Sequence, residues 1–139
     1  MRIAATAAAI VAIAALCLGC GGLETRTVRL GQEEWTVLVG SSEGMRGRTD
    51  FGGADGMLFD LGREVDPRGT KFTMAGVSIP LDIAWFDGNG VLVGSTSMPL
   101  CEADACPVYA PDSPYRWAIE APVGAFDGVD LDVRLEVPD

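Results

Sequence analysis

From Trp35 to Val137 the apolar residues of this chain recur at every second position, in short runs cut by glycine, proline and asparagine. That period belongs to strands that bury one side, and it rules out a helical bundle. Trp35, Val37 and Val39 alternate with Thr36 and Leu38, and Met57, Phe59 and Leu61 with Leu58 and Asp60. Phe72 and Met74 flank Thr73. Ile79, Leu81, Ile83 and Trp85 alternate with Pro80, Asp82, Ala84 and Phe86. Tyr115, Trp117 and Ile119 alternate with Arg116, Ala118 and Glu120. The cleanest run is the last, where Val129, Leu131, Val133, Leu135 and Val137 interleave with polar residues. Glu24–Leu30 reads as a spacer or a first edge strand.

Turn signals separate the runs. Gly31-Gln32 turns a first hairpin, and Asp66-Pro67-Arg68-Gly69 turns before Phe72. Asp87-Gly88-Asn89-Gly90 carries an Asn-Gly pair between two apolar runs, a hairpin signal in which both central residues take positive φ. Ser41–Phe51 is the one place for a short helix, with Ser42 as its N-cap. Pro99–Pro114 holds four prolines and is the longest irregular excursion. Together these features predict a mainly β fold. It is a compact antiparallel barrel-like or sandwich-like domain over residues 24–139, with at most one or two short helices.

Residues 1–23 read as a leader rather than as part of the fold. Arg2 gives a positive start, and no charge follows from Ile3 to Leu23. The apolar core is shorter than the ~20 residues that span a bilayer, as in a secretory signal. Cys20 after Leu18-Gly19 resembles the lipobox of bacterial lipoproteins, although Cys17 stands where that pattern wants leucine. Lipidation at Cys20, ordinary cleavage and an uncleaved anchor all place the domain outside the cytoplasm, at the membrane of a bacterial envelope. Cys101 and Cys106 fit that compartment, since this spacing reads first as a local disulfide. The functional alternative is a redox pair or half of a metal site. Two cysteines without histidine or a second pair do not make a zinc site.

The chain has 20 acidic and 10 basic residues, a formal charge of −10 and no histidine. The charge opposes a nucleic-acid partner, which requires clustered Lys and Arg. Without histidine there is no Ser-His or Cys-His dyad. The Asp87-Gly88-Asn89 start of a calcium loop fails, with Leu92 at its sixth position and Met98 at its twelfth. No phosphate-binding glycine loop is present, and no cofactor is implied.

The remaining candidates each have a structural counter-reading. Asp82 stands among apolar residues and must be paired, hydrogen-bonded or protonated, as a ligand or acid/base group or as a backbone cap. Lys71, the only lysine, is a binding group or a solvated strand-end charge. Arg46, with Arg48, holds an anion or pairs with Glu43, Asp50 and Asp55. Tyr109, Tyr115 and Trp117 stack a ligand on the proline-rich loop or cover the end of a barrel.

An ordered set of segments carries a family resemblance. They are Gly56-Met57-Leu58-Phe59, Lys71-Phe72-Thr73-Met74, Ile79-Pro80-Leu81-Asp82-Ile83-Ala84, Asp87-Gly88-Asn89-Gly90, Met98-Pro99-x-Cys101, Cys106-Pro107-x-Tyr109-x-Pro111 and Trp117-Ala118-Ile119-Glu120-Ala121. With these gaps, over about residues 35–137, the chain resembles the DUF192 (UPF0127) family of small, often exported or membrane-anchored domains. The resemblance implies a compact, mainly β barrel-like domain and no particular activity. It has departures: Phe72-Thr73-Met74-Ala75-Gly76 stands where members usually read Phe-Trp-Met-Lys-Asn. Gly44-Met45-Arg46-Gly47-Arg48 replaces Gly-Leu-Met-Gly-Arg, and Gly128–Asp132 replaces Gly-x-Lys-x-Gly-Asp.

The function these residues favour is non-catalytic. It is a lipid-anchored module that binds a small ligand or an envelope protein through the Pro99–Trp117 loop. The rivals are a histidine-free envelope enzyme using Asp82 with Lys71 or an arginine, and a purely structural envelope protein.

Overall fold

The computed structural model describes residues 23–130, 132 and 134–139. The leader at residues 1–22, with Cys20, lies outside them. Nine strands form among the described residues, and no helix: β1 (Thr25–Leu30), β2 (Glu33–Val39), β3 (Gly56–Val65), β4 (Phe72–Thr73), β5 (Leu81–Phe86), β6 (Leu92–Met98), β7 (Val108–Tyr109), β8 (Tyr115–Pro122) and β9 (Leu135–Glu136). Seven make one sheet in the order β6-β5-β8-β3-β2-β1-β9, curled into a half-barrel, and β4 and β7 make a second, two-stranded sheet. The mainly β expectation holds. Neighbours run antiparallel except β2 and β3, which pair in parallel from Val37–Gly56 to Val39–Leu58. A parallel pair needs a long crossover, and residues 40–55 supply it.

The period-two runs become strands, but the middle ones are buried on both faces. Ala84 and Phe86 of β5 and Ile119 and Ala121 of β8 enter one core with Val28, Trp35, Val37 and Phe126. Leu81, Ile83 and Trp85 enter a second core on the other face, with Met57, Met74, Met98 and Tyr115. Such strands carry apolar residues at nearly every position, as Ile83-Ala84-Trp85-Phe86 does.

Glycine closes the curl at one end. In the β5–β6 hairpin, Asp87 Oδ1 accepts from the backbone N–H groups of Asn89 and Val91, both at 2.9 Å. The left-handed conformation falls on Gly90 alone (φ 79°), not on Asn89 as the Asn-Gly signal predicts. The aspartate cap fixes a tight turn, and a single left-handed glycine then rejoins the strand. Leu135 N donates to Gly90 O at 2.8 Å, tying the hairpin at one sheet edge to β9 at the other. A Cβ at position 90 would strike the Leu135 carbonyl oxygen, so only glycine fits.

Two sequence expectations are corrected. Ser41–Phe51 forms no helix. Gly44, Arg46 and Arg48 donate to Ser41, Glu43 and Met45 in successive i→i+3 turns. Gly44 (φ 53°) and Gly47 (φ 70°) interrupt any continuous helical turn. Among the described residues, the clean alternation at the C-terminus gives a strand at Leu135–Glu136 alone. Residues 122–129 instead coil through i→i+3 turns that seat Phe126 flat on Trp35, ring centroids 5.2 Å apart. Val129 and Val137 pack on the core without joining the ladder. Alternation reports packing, which here does not require sheet pairing.

Candidate functional site

A cleft of about 400 Å³ opens on the second core's face, between the 40–44 turn, β3 at Phe59–Leu61 and the segment 70–73. Its shape follows from β3. After Asp60, that strand slips out of register with β8. Asp60 Oδ1 accepts from Gly62 N at 2.8 Å, and Gly62 is left-handed (φ 76°). This is a bulge that bends a strand away from its partner. Opposite, Gly40 leaves room for Phe59, since a Cβ there would sit 2.7 Å from the ring. Phe59 and Phe72 form an aromatic wall, edge to face at 5.1 Å.

Glu120 of β8 is the buried lining residue, 4% exposed. Its ladder partners are Met57 on β3 and Ile83 on β5, so apolar side chains flank it on both sides. No hydrogen bond or ion pair engages its carboxylate among the described residues, and burial pushes its pKa up from 4.5 to about 7. Desolvation disfavours the charged form, and nothing here offsets it. The cleft's other titratable groups are Glu43, Asp60 and Lys71. Arg116 Nε holds Asp60 at 3.3 Å, and its guanidinium carbon lies 4.4 Å from the Trp117 ring centroid. Lys71 is exposed and enters no ion pair among the described residues.

The structure separates the residues singled out by sequence. Asp82 lies on the opposite face from the cleft, beside a smaller hollow of about 250 Å³ lined by Ser95–Ser97, Phe126 and Asp127. Its oxygens accept from Ser97 Oγ (2.6 Å) and Gly124 N (2.9 Å), which makes it a structural cap joining β5, β6 and the turn after β8. Lys71 and Asp82 therefore share no cleft. Arg46 pairs with none of Glu43, Asp50 and Asp55. Its Nε donates to Ala75 O at 3.2 Å and its chain packs on Gly76, while Asp50 and Asp55 cap the backbone N–H groups of Gly52 and Thr36. Tyr115 and Trp117 are core residues rather than a surface platform: Tyr115 is fully buried with its hydroxyl donating to Thr70 O at 2.8 Å, and Trp117 is buried in the first core. Tyr109 is half-buried on β7, beside a third hollow with Gly94 and Pro111. Cys101 and Cys106 are bonded, Cα atoms 5.8 Å apart, two residues before β7. β7 pairs Tyr109 with Phe72 of β4, so the bridged loop leads directly to a wall of the cleft.

Residues 38–137 match the DUF192 family model, described as "Uncharacterized ACR". The chain belongs to the DUF192 family. Two solved structures share its fold. A protein of Sinorhizobium meliloti 1021, described as a proposed transcription regulator, superposes with a TM-score of 0.67 at 23% identity, covering 84% of this chain and 95% of its own. A protein of unknown function from Novosphingobium aromaticivorans DSM 12444 gives 0.63 at 19% identity, covering 85% and 89%. At these identities the likeness concerns the fold. No curated protein matches the chain.

This DUF192 domain bounds its cleft with Phe72 and Thr73 of β4. The residue that sequence reading missed is Glu120. It was grouped with Arg116 and Ala118 as the outward members of an alternating run. Glu120, between Ile119 and Ala121, is enclosed by apolar neighbours in sequence just as Asp82 is.

Proposed function

We propose that this DUF192 domain is an exported, lipid-anchored module of the bacterial envelope that binds a small ligand in the Glu120 cleft without transforming it. The observation that carries this reading is the cleft itself, a concave aromatic-walled site holding one buried carboxylate that no protein group satisfies. Ligand sites have this make-up, mostly apolar with a few placed polar groups. The compartment is supported by the uncharged stretch from Ile3 to Leu23 with Cys20, and by the bond between Cys101 and Cys106, which is stable in oxidising surroundings. An enzyme built on Asp82 and Lys71 lacks support, because the two line separate hollows. The regulatory role proposed for the Sinorhizobium protein belongs to that protein, and a formal charge of −10 opposes phosphate contacts here.

Two measurements test the reading. The intact mass of the chain purified from bacterial membranes should begin at a diacylated Cys20. An unmodified chain with Met1 in the cytosolic fraction contradicts export. Titration of the purified protein with benzyl alcohol, a neutral aromatic probe, should shift amide resonances of residues 40–44 and 70–73. Unchanged resonances at millimolar probe contradict binding.

A further inference from the structure

We infer that the cleft selects small organic cations, seating a primary ammonium group on the Glu120 carboxylate and an apolar body against Phe59 and Phe72. The inference deepens the binding reading and rests on it. Three observations converge. Glu120 is 4% exposed, lines the cleft and meets no donor among the described residues, so its carboxylate is left for a ligand that enters. A carboxylate held away from water is costly alone and strongly stabilised by a hydrogen-bonded cation. The cleft carries three acidic groups, Glu43, Asp60 and Glu120, against Lys71 at its edge, on a chain of net charge −10 that concentrates cations around it. The donor set excludes a metal ion as the cation. Hard cations take six or more oxygens, whereas Glu120 is flanked in the ladder by Met57 and Ile83. No group of three or more His, Cys, Asp or Glu able to hold a metal occurs among the described residues. The aromatic wall suits the other half of such a ligand, since ring faces attract both apolar groups and cations.

The seat is proton-linked. An empty cleft favours neutral Glu120, and an arriving ammonium displaces that proton to solvent. Of the charged groups facing the site, Glu43 comes from the 40–44 turn, Asp60 from β3 and Lys71 from the segment before β4, while β5 contributes apolar Ile83. None of the first three is buried as Glu120 is.

The experiment compares benzylamine with benzyl alcohol, equal in shape and different in charge, on the full chain in neutral detergent at pH 8 and pH 6, followed by amide shifts at residues 40–44 and 70–73. At pH 8 the amine should bind at least tenfold more tightly. The preference should shrink at pH 6, where the amine stays protonated and Glu120 does not stay ionised. Glu120→Gln should remove the preference. Should that variant fail to fold, the pH arm on the unaltered chain decides. Equal affinities for the two probes at pH 8, or an amine preference that does not shrink at pH 6, overturns the cation reading and leaves a ligand site. Binding of neither probe overturns the site and with it the cation reading.

Discussion

Asp82 and Glu120 are one ladder step apart. In the pairing of β5 with β8, Asp82 faces Ala121 and Ile83 faces Glu120, so the two carboxylates emerge on opposite faces of the same pair of strands. Asp82 is half-buried and meets two donors, Ser97 Oγ and Gly124 N. Glu120 is more deeply buried and meets none. Both stand in apolar runs, and what separates them is the loop that folds over each face. The turn after β8 brings a backbone N–H onto Asp82. The 40–44 and 70–73 segments arch over Glu120 and leave a space. One carboxylate fastens the fold, and the other lines the cleft with no donor among the described residues.

Substitutions should pull this pair apart in opposite directions. The largest effect belongs to Glu120. Its carboxyl titrates at about 7 in the folded protein against 4.5 ordinarily. The folded state therefore holds the proton more tightly than the unfolded chain does. The contribution of Glu120 to stability is largest below about pH 4.5, falls as pH rises towards 7 and levels off beyond it. Glu120→Gln should stabilise the protein by about 3 kcal/mol at pH 8 and by little at pH 4, read from urea unfolding at both pH values. A loss of stability at pH 8 would mean that the carboxylate has a partner.

Asp82→Ala should do the reverse, costing about 2 kcal/mol at pH 8, because it leaves Gly124 N and Ser97 Oγ without their acceptor. It should leave binding of the aromatic probes within twofold of the unaltered chain. A binding loss would join the two faces that the structure keeps apart. Reducing the Cys101–Cys106 bridge removes a crosslink of about 2 kcal/mol on the chain-entropy model. Its effect should favour the Glu120 face, since the bridged loop leads to β7 and thence to Phe72. Amide exchange should quicken at Phe72 and Tyr109 more than at Asp82 and Ser97. Ser97→Ala is the smallest change, about 1 kcal/mol, because Asp82 keeps its bond to Gly124 N.

Much of the fold could be read from residue order. The alternating runs became strands, and Gly31-Gln32 and Asp87–Gly90 turned hairpins. What escaped depended on neighbours distant in sequence. Residues 41–51 have helical length, yet their glycines adopt left-handed turns that seat the segment over Phe59. Val129 and Val137 of the last alternating run pack on the first core outside the strand at Leu135–Glu136. Tyr115 and Trp117 follow a proline-rich loop, as surface aromatics do, but β8 is the strand covered on both faces. Glu120 was missed for that same reason. A half-buried strand gives its alternate residues to water, and a doubly covered strand gives them to a second core or to a cleft.

The protonation of one carboxyl group decides whether the cleft has a polar group to offer. Carbon-13 NMR of the Glu120 side-chain carboxyl, followed from pH 3 to pH 9 without ligand, should show a midpoint near 7. A midpoint near the ordinary 4.5 would mean that water or a donor already solvates the group, and the cleft would lose its reason to bind anything.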